Sequence, residues 1–258
     1  MNFKAISSKD NSLIKLVSSL QTSAKVRREN GSFVLEGLRI CDDASQNGIR
    51  FDKLIVSQNA LEKFKKEIEI FSKNSAEHYV LPDNLFKKIS DTSTPQGIIA
   101  VAKILENNNE IDKNGRYIAL ENLSDPSNLG AISRTAEALG VTGIIISDNS
   151  CDPYSPKVLR ASMGTLLRMP LIIFKDFANE IKNCGLKSYS CVVDSDALDI
   201  NSVNFCDGSV VIIGNEANGI SDETKKASDE KITIKMSGKA ESLNAAIAAS
   251  IAMWEMMK

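Results

Sequence analysis

The stretch YIALENLSDPSNLGAISRTAEALG, residues 117–140, predicts a strand, a loop and a helix in that order. Tyr117–Leu120 is short and apolar, as buried strands are. Asp125 and Asn128 are favoured capping residues, and Pro126 tolerates the first turn of a helix. This order is typical of α/β proteins, whose ligands bind beyond the carboxyl ends of parallel strands.

Strand and helix patterns alternate along the whole chain. In the second half, short runs rich in Ile and Val predict strands at Tyr117–Leu120, Gly143–Ile146, Leu171–Phe174, Cys191–Val193 and Val210–Ile213. Continuous apolar strands separated by helices indicate a parallel sheet that is covered on both faces. The front of the chain predicts a smaller α/β unit, with strands at Phe33–Leu35, Lys53–Val56 and Ile98–Val101.

Two further junctions between a strand and a helix carry polar residues. The strand Val210–Ile213 is followed by Gly-Asn-Glu-Ala-Asn-Gly, residues 214–219. Glycines after a buried strand let the backbone approach a ligand closely, and Asn and Glu supply hydrogen-bond acceptors. The third junction ends in Glu-Ser-Leu-Asn, residues 241–244, where Ser242 or Asn244 could cap the last helix.

Arg134 lies on the helix of the first junction, away from its apolar positions Leu129 and Ile132. This spacing predicts an exposed side chain, which inside a cleft would present a fixed cation to a phosphate.

The last segment, Glu241–Met257, is uncharged between Glu241 and Glu255 and apolar almost all round. Such a helix must be covered, either by its own sheet or by a second subunit.

The composition excludes several classes of protein. Hydrophobic residues make up 43% of the 258 residues and charged residues 25%, which excludes disordered and fibrous chains. No signal peptide and no apolar run of about 18 residues is found, which predicts a cytoplasmic protein.

Five cysteines without a CxxC pair predict reduced thiols. The single histidine, His78, rules out sites with two histidine ligands, and we expect no metal.

The charge of the chain gives no general attraction to nucleic acid. Lys and Arg number 31 against 33 Asp and Glu, a formal net charge of -2. Binding of RNA must therefore be local, and the basic residues at the front that could provide it are Lys25, Arg27 and Arg28.

An Asn-rich run, ENNNEIDKNGR at residues 106–116, is the best candidate for a linker. We therefore expect a first domain at 1–106, a linker at 107–116 and a second domain at 117–258, which the resemblance described next makes an RNA substrate-binding domain and a SPOUT methyltransferase domain.

The three junctions together resemble the SpoU/TrmH class of RNA 2'-O-ribose methyltransferases, in the SPOUT superfamily. The first matches the motif N-x-x-D-P-x-N-x-G-x-x-x-R between Asn122 and Arg134, the second G-x-E-x-x-G from Gly214 to Gly219, and the third S-L-N from Ser242 to Asn244. The front of the chain, through Phe33–Gly37, is similar to the ribosomal-protein-like substrate domain that many members carry.

The resemblance implies a parallel sheet with a C-terminal trefoil knot, preceded by the small α/β substrate domain. It also implies a homodimer, RNA as substrate and S-adenosylmethionine as cofactor. By matched position, the residues expected to bind the cofactor are Gly214, Ile234, Met236 and Leu243. The residues expected at the catalytic site are Arg134, Asn122, Glu216, Ser242 and Asn244.

Two residues depart from the family pattern. Lys235 stands where the family usually has Pro, and Ala217 where it usually has Gly. Since cofactor contacts in this class are largely through the backbone, both changes could be tolerated, but the side chain of Lys235 could alter the cofactor pocket.

The reaction implied is transfer of a methyl group to a ribose 2'-hydroxyl, most readily in ribosomal RNA. Arginine keeps its proton in proteins, so we expect Arg134 to hold a phosphate and stabilise a developing alkoxide rather than to act as a base. Transfer RNA is the alternative substrate, and a non-catalytic RNA-binding protein of ribosome assembly is the alternative from another class. A nicotinamide-dependent oxidoreductase is disfavoured, because no GxG occurs in the chain.

Overall fold

A computed structural model describes residues 2–105 and 110–258 of the protein. Its residues fall into two compact units. The first combines residues 2–105 with Asp152–Leu167, and the second combines residues 110–151 with Arg168–Lys258. Residues 107–109 of the expected linker lie outside the described residues. No helix in the described ranges is long and apolar enough to cross a bilayer.

The first unit, as far as it is described, contains a five-stranded mixed sheet in the order β1-β4-β3-β5-β2. Strands β2 and β3 each pair with β5 antiparallel, and β4 pairs with β1 and β3 parallel. Its strands are β1 Lys4–Ala5, β2 Ser32–Glu36, β3 Phe51–Ser57, β4 Ser75–Leu81 and β5 Ile98–Lys103. Its first six helices are α1 Ser12–Thr22, α2 Ala24–Asn30, α3 Leu38–Gln46, α4 Gln58–Lys63, α5 Lys65–Lys73 and α6 Asp83–Ile89.

The segment Asp152–Leu167 adds a further helix to the first unit. This helix is α8, Pro156–Ser162, and a 3-10 turn follows at Thr165–Leu167. Tyr154 is buried against Phe33, with the two ring centroids 5.0 Å apart. The buried residues Leu159 and Leu167 complete the same apolar cluster. Residues from the second half of the sequence thus complete the core of the first unit.

The second unit contains, in its described residues, a seven-stranded sheet in the order β10-β12-β9-β11-β6-β7-β8, and all its neighbours are parallel. Its strands are β6 Arg116–Leu120, β7 Gly143–Ser147, β8 Leu171–Phe174, β9 Lys187–Cys191, β10 Leu198–Asp199, β11 Ser209–Ile213 and β12 Glu230–Thr233. Its helices are α7 Pro126–Leu139, α9 Phe177–Asn183, α10 Asp222–Ala227 and α11 Ala245–Met256, with a 3-10 turn at Ile200–Ser202.

The predicted α/β class with a parallel sheet in the second half is confirmed. Every residue of β7 and β11 is buried, as expected for strands that are covered on both faces. The trefoil knot that the resemblance implies stays a prediction.

One predicted strand is misplaced. The sequence predicts a strand at Cys191–Val193, whereas β9 runs from Lys187 to Cys191. The error arises because Ser188 and Ser190 are polar and interrupt the apolar run that predicts a buried strand. Both are buried, and they are satisfied by hydrogen bonds to Asp229 and Ser228, each 2.7–2.8 Å long.

Candidate functional site

The two central strands of the second unit bring the first two junctions together. Strands β6 and β11 pair in register up to Leu120 and Ile213, and the backbone N–H of Glu121 donates to the carbonyl of Ile213 at 2.9 Å. The loops that leave these strands therefore start side by side at the carboxyl edge of the sheet. This is the edge at which parallel sheets bind ligands.

A side chain of the second loop binds the backbone of the first. The Asn215 amide Nδ2 donates to the carbonyl of Asn122 at 2.7 Å. Asn122 has a φ of +52°, a left-handed conformation that asparagine tolerates better than most residues. Its backbone N–H donates to the hydroxyl of Ser147 at 2.8 Å, which anchors the turn to β7.

The Glu216 carboxylate holds the start of α7. It accepts hydrogen bonds from the backbone N–H of Ser124 and of Asp125, both at 3.1 Å, from the Ser124 hydroxyl at 2.8 Å, and from the Asn128 amide at 2.8 Å. Partial burial raises the pKa of Glu216, but these hydrogen bonds, that from Asn128 foremost, outweigh it and lower the pKa to about 2. Glu216 is thus an anion at the N-terminus of a helix, where the helix dipole favours negative charge.

Asn128 extends this network to the third loop. Its Oδ1 accepts a hydrogen bond from the Asn244 amide at 3.1 Å. The Oδ1 of Asn244 in turn accepts from the backbone N–H groups of Ala246 and Ile247, at 2.9 and 3.3 Å, and so caps α11. The loops at Asn122, Gly214 and Ser242 are therefore joined side chain to side chain.

Asn128 is absent from the site residues predicted from the sequence. Capping is carried out by Asp125, whose Oδ1 accepts from the backbone N–H of Ser127 at 2.8 Å. Asn128 is instead buried and bridges Glu216 and Asn244. The sequence did contain an indication of this role, because the first motif has a second Asn. The amide of an Asn side chain can donate a hydrogen bond to one loop through its NH2 group and accept one from another loop through its oxygen.

A cavity of about 590 Å³ opens beside the joined loops. All four residues predicted to bind the cofactor line it: Gly214, Ile234, Met236 and Leu243. Ser242 and Glu216, from the predicted catalytic set, line it as well. The side chain of Ser242 is exposed, and its hydroxyl has no hydrogen-bond partner in the part of the chain that the structure describes.

The backbone of the second loop closes tightly on itself at this cavity. A Cβ atom placed on Gly214 would overlap the peptide between Gly219 and Ile220. Asn215 and Gly219 exchange two backbone hydrogen bonds, at 3.0 and 2.9 Å. Main-chain polar groups and apolar side chains at one cavity suit a cofactor that carries a flat base and a short aliphatic arm, as S-adenosylmethionine does.

Lys235 does not reach into this cavity. Ile234 and Met236 line it, whereas the Lys235 ammonium pairs with Asp199 at 2.9 Å, and its side chain is 74% exposed. The replacement of the usual Pro therefore adds no side chain to the cavity, whose lining already combines charged residues such as Asp194 and Lys231 with apolar ones. Ala217 lies among the lining residues of the second loop.

Arg134 is exposed, as its helical position predicts. The side chains of Leu129, Ile132 and Ala136 on the same helix are buried. The Arg134 guanidinium forms no hydrogen bond or ion pair with any residue in the ranges 2–105 and 110–258, and it is not among the described residues that line the cavity. It is thus a cation available to a partner molecule.

The three basic residues expected to bind RNA differ in their surroundings. Arg28 is exposed, and Lys25 is exposed with a loose 3.8 Å ion pair to Glu29. Arg27 is buried: its Nε pairs with Asp152 at 2.6 Å, and its Nη1 donates to the carbonyls of Leu20 and Gln21. We correct the expectation for Arg27, because a buried and paired guanidinium cannot reach a phosphate.

Residues 115–254 match the SpoU rRNA Methylase family, and residues 11–100 match the MRM3-like substrate binding domain. The chain belongs to the SpoU rRNA Methylase family. This membership confirms the family predicted from the motifs, the activity of an RNA methyltransferase and S-adenosylmethionine as its cofactor.

Characterised relatives of this family member align over nearly the whole chain. A 23S rRNA (guanosine(2553)-2'-O)-methyltransferase of Bacillus subtilis (strain 168) is 26% identical over 255 residues, which cover 98% of this chain and 99% of the relative. A 23S rRNA (uridine(2479)-2'-O)-methyltransferase of Streptomyces viridochromogenes is 26% identical over 243 residues, 90% of this chain and 84% of the relative. The crystal structure of an AdoMet-bound rRNA methyltransferase from Sinorhizobium meliloti superposes with a TM-score of 0.86 at 26% identity, covering 98% of this chain and 97% of that one.

Replacement of Gly214 by Ala tests the cavity. The added Cβ must displace the backbone at Gly219 and Ile220. Overpacking of this kind costs about 1–3 kcal/mol, so we expect the Kd for S-adenosylmethionine to rise about 5- to 150-fold, measured by titration calorimetry. Gly238→Ala is the matched control, because nothing lies within 4 Å of its added Cβ, and its Kd should stay within about twofold of wild type. Equal affinities for all three proteins would show that the cofactor binds elsewhere.

Proposed function

We propose that this chain transfers the methyl group of S-adenosylmethionine to a ribose 2'-hydroxyl in ribosomal RNA, with the large-subunit RNA as substrate. The observation that carries the proposal is the hydrogen-bonded junction of three loops at one cavity, through Asn215, Glu216, Asn128 and Asn244. The names of the Bacillus and Streptomyces relatives, both 23S rRNA 2'-O-methyltransferases, support the choice of substrate.

Gly214, Ile234, Met236 and Leu243 would hold the cofactor. When bound, S-adenosylmethionine supplies a methyl group that its sulfonium already activates. The protein must therefore align the hydroxyl of the RNA and favour loss of its proton. The tight backbone of the second loop gives a rigid wall for this alignment.

Arg134 is proposed as the residue that meets the RNA at the reacting ribose. A guanidinium stays charged at any physiological pH, so it can hold a phosphate and stabilise the oxyanion that develops as the hydroxyl loses its proton. It cannot itself accept that proton. We assign the proton to water or to an RNA phosphate oxygen.

Glu216 is a poor candidate for the proton acceptor. Its pKa of about 2 lies far below the value of a base that works near neutral pH, and its carboxylate already accepts four hydrogen bonds. We therefore propose that Glu216, Asn122 and Asn244 act by holding the three loops together. The exposed hydroxyl of Ser242 at the cavity is proposed to bind the ribose directly.

The front domain, 1–106, is proposed to bind the RNA through Lys25 and Arg28. Its match to the MRM3-like substrate binding domain supports this role. RNA rather than DNA follows from the target atom, since DNA lacks the 2'-hydroxyl. A location in the cytoplasm belongs to the same proposal.

A homodimer that forms through α11 is also part of the proposal. Ile247 and Trp254 on this helix are 53% and 57% exposed. Large apolar side chains exposed on one mostly apolar helix are typical of an interface. The helix also packs against α7, which carries Arg134, and Ser250 donates to Thr135 between the two helices at 3.3 Å.

The reaction is tested by mapping 2'-O-methyl groups in ribosomal and transfer RNA from cells with and without the protein. We expect one ribosomal position to lose its mark and to regain it when purified protein and S-adenosylmethionine are added. Arg134→Ala should lower kcat by about 100-fold or more and leave the Kd for the cofactor within about twofold. Marks lost only from transfer RNA would contradict the substrate, and a large loss of cofactor affinity in Arg134→Ala would contradict the role of Arg134.

Replacement of the neighbouring residues Arg27 and Arg28 by Ala should affect two different properties, stability for Arg27 and RNA binding for Arg28. Arg27→Ala removes the partner of Asp152 and should lower the free energy of unfolding by about 3–5 kcal/mol in urea, with the Asp152 side chain only 15% exposed. Arg28→Ala should change that free energy by less than about 0.5 kcal/mol. It should instead reduce the slope of log RNA affinity against log salt by about one, as expected for one lost phosphate contact. An unchanged slope would remove Arg28 from the RNA interface.

The dimer is tested by sedimentation of the double variant Ile247→Glu and Trp254→Glu. Charges placed in an apolar interface should dissociate the protein into single chains. The control is Ile70→Glu in α5, an apolar residue that is equally exposed at 56% but lies in the other unit. If wild type already sediments as a single chain, or if the Ile70 variant dissociates as well, the assignment of α11 fails.

A further inference from the structure

Glu121 is a buried carboxylate that the reaction described above does not use. It directly follows β6, and the residue is only 5% exposed. One of its oxygens, Oε2, accepts a hydrogen bond from the backbone N–H of Ser221 at 2.8 Å. The other, Oε1, accepts from the hydroxyls of Ser221 and Thr224 at 2.6 and 2.7 Å.

No cation pairs with Glu121 anywhere in the described part of the chain, so neutral donors alone satisfy it. A buried carboxylate is unfavourable unless it is well hydrogen-bonded. It offers more acceptor sites than an amide, and all three donors here come from the short stretch Ser221–Thr224. Glu121 thus holds the first turn of α10 with a strength that a neutral side chain of the same size does not provide.

Ser221, which caps α10, is the last residue of the cofactor loop, which we define as residues 214–221. The near end starts beside Glu121, whose own N–H donates to Ile213. Asn215 ties the loop to Asn122, the next residue along. Residues 121 and 122 therefore hold the cofactor loop at both ends, and the loop supplies the tightest wall of the cavity, where Gly214 meets Gly219.

We infer that Glu121 is a positioning residue for the cofactor site: through Ser221 and Thr224 it keeps the cofactor loop closed in the conformation that accepts S-adenosylmethionine. This inference rests on the proposed function only in that the cavity holds this cofactor. The loop is shaped before the cofactor arrives, so the energy of binding is not spent on ordering it.

The test compares the affinity of five full-length proteins for S-adenosylmethionine by titration calorimetry: wild type, Glu121→Gln, Thr224→Val, the double variant of these two, and Asp229→Asn. Glu121→Gln turns an NH2 group toward one of the three donors and should raise the Kd about 10-fold or more. Thr224→Val removes a single donor and should weaken binding less. The double variant Glu121→Gln with Thr224→Val should bind about as weakly as Glu121→Gln alone, since both act through the same contact.

Asp229→Asn is the matched control. Asp229 also accepts from the backbone N–H and the hydroxyl of one serine, Ser188, both at 2.8 Å. It lies at the opposite edge of the same sheet, before β12, and is not among the described residues that line the cavity. We expect it to lower the Tm as Glu121→Gln does, but to leave the Kd within about twofold.

Two further measurements separate positioning from general stability. The KM for S-adenosylmethionine in Glu121→Gln should rise in parallel with the Kd, and kcat at saturating cofactor should change less. Hydrogen exchange of the amides at 215–221 in the cofactor-free protein should become faster, while that of β7 should not.

The inference is overturned if wild type binds the cofactor and Glu121→Gln binds it equally well, or if Asp229→Asn weakens binding to the same extent. If Glu121→Gln does not fold, Thr224→Val decides, and an unchanged Kd in that variant overturns the inference. Absence of binding by wild type would instead contradict the proposed function, so the two failures are distinguishable.

Discussion

The pairing of β6 with β11 is the contact on which the site depends. These strands lie far apart in sequence, and their parallel register ends at Leu120 and Ile213. Two polar loops consequently leave the sheet next to each other, with Asn122 beside Asn215. If β11 were shifted by one residue along β6, the side chains of the shifted strand would move to the other face of the sheet. Glu121 and Glu216 would then not reach the groups that donate hydrogen bonds to them.

The carboxylates in the loops at this edge of the sheet accept their hydrogen bonds from uncharged donors in neighbouring loops. Glu121 and Glu216 are carboxylates, yet both are held by backbone N–H groups, hydroxyls and an amide. Glu216 stays ionised because these donors stabilise its charged form. Arg134 forms no ion pair with any residue in the described ranges, so its charge is available to a partner molecule. A site that must meet a polyanion benefits from a cation that the protein has not neutralised.

The first unit shows the opposite use of an arginine. Arg27 is buried and holds Asp152, a residue from the second half of the sequence. Arg160, in the same segment, pairs with Asp91 at 2.6 Å. With the buried ring of Tyr154 against Phe33, these contacts fix Asp152–Leu167 to the first unit. Breaking such a pair leaves a buried charge without its partner, which is why its loss is expected to be far more costly than that of the exposed Lys25 pair.

The sequence by itself determined the alternation of strands and helices and the parallel sheet, because these depend on local periodicity. It also carried the motifs whose family resemblance implied four residues of the cavity, Gly214, Ile234, Met236 and Leu243. It also predicted the exposed position of Arg134, since the helical period alone defines that face. Only the tertiary structure decided that Arg27 is buried, that β9 begins at Lys187, and that Asn128 and Glu121 join separate loops. Each of these depends on a partner that is distant in the chain, Asp152 for Arg27 and Ser221 for Glu121, and no local pattern specifies which distant group will satisfy a buried polar side chain.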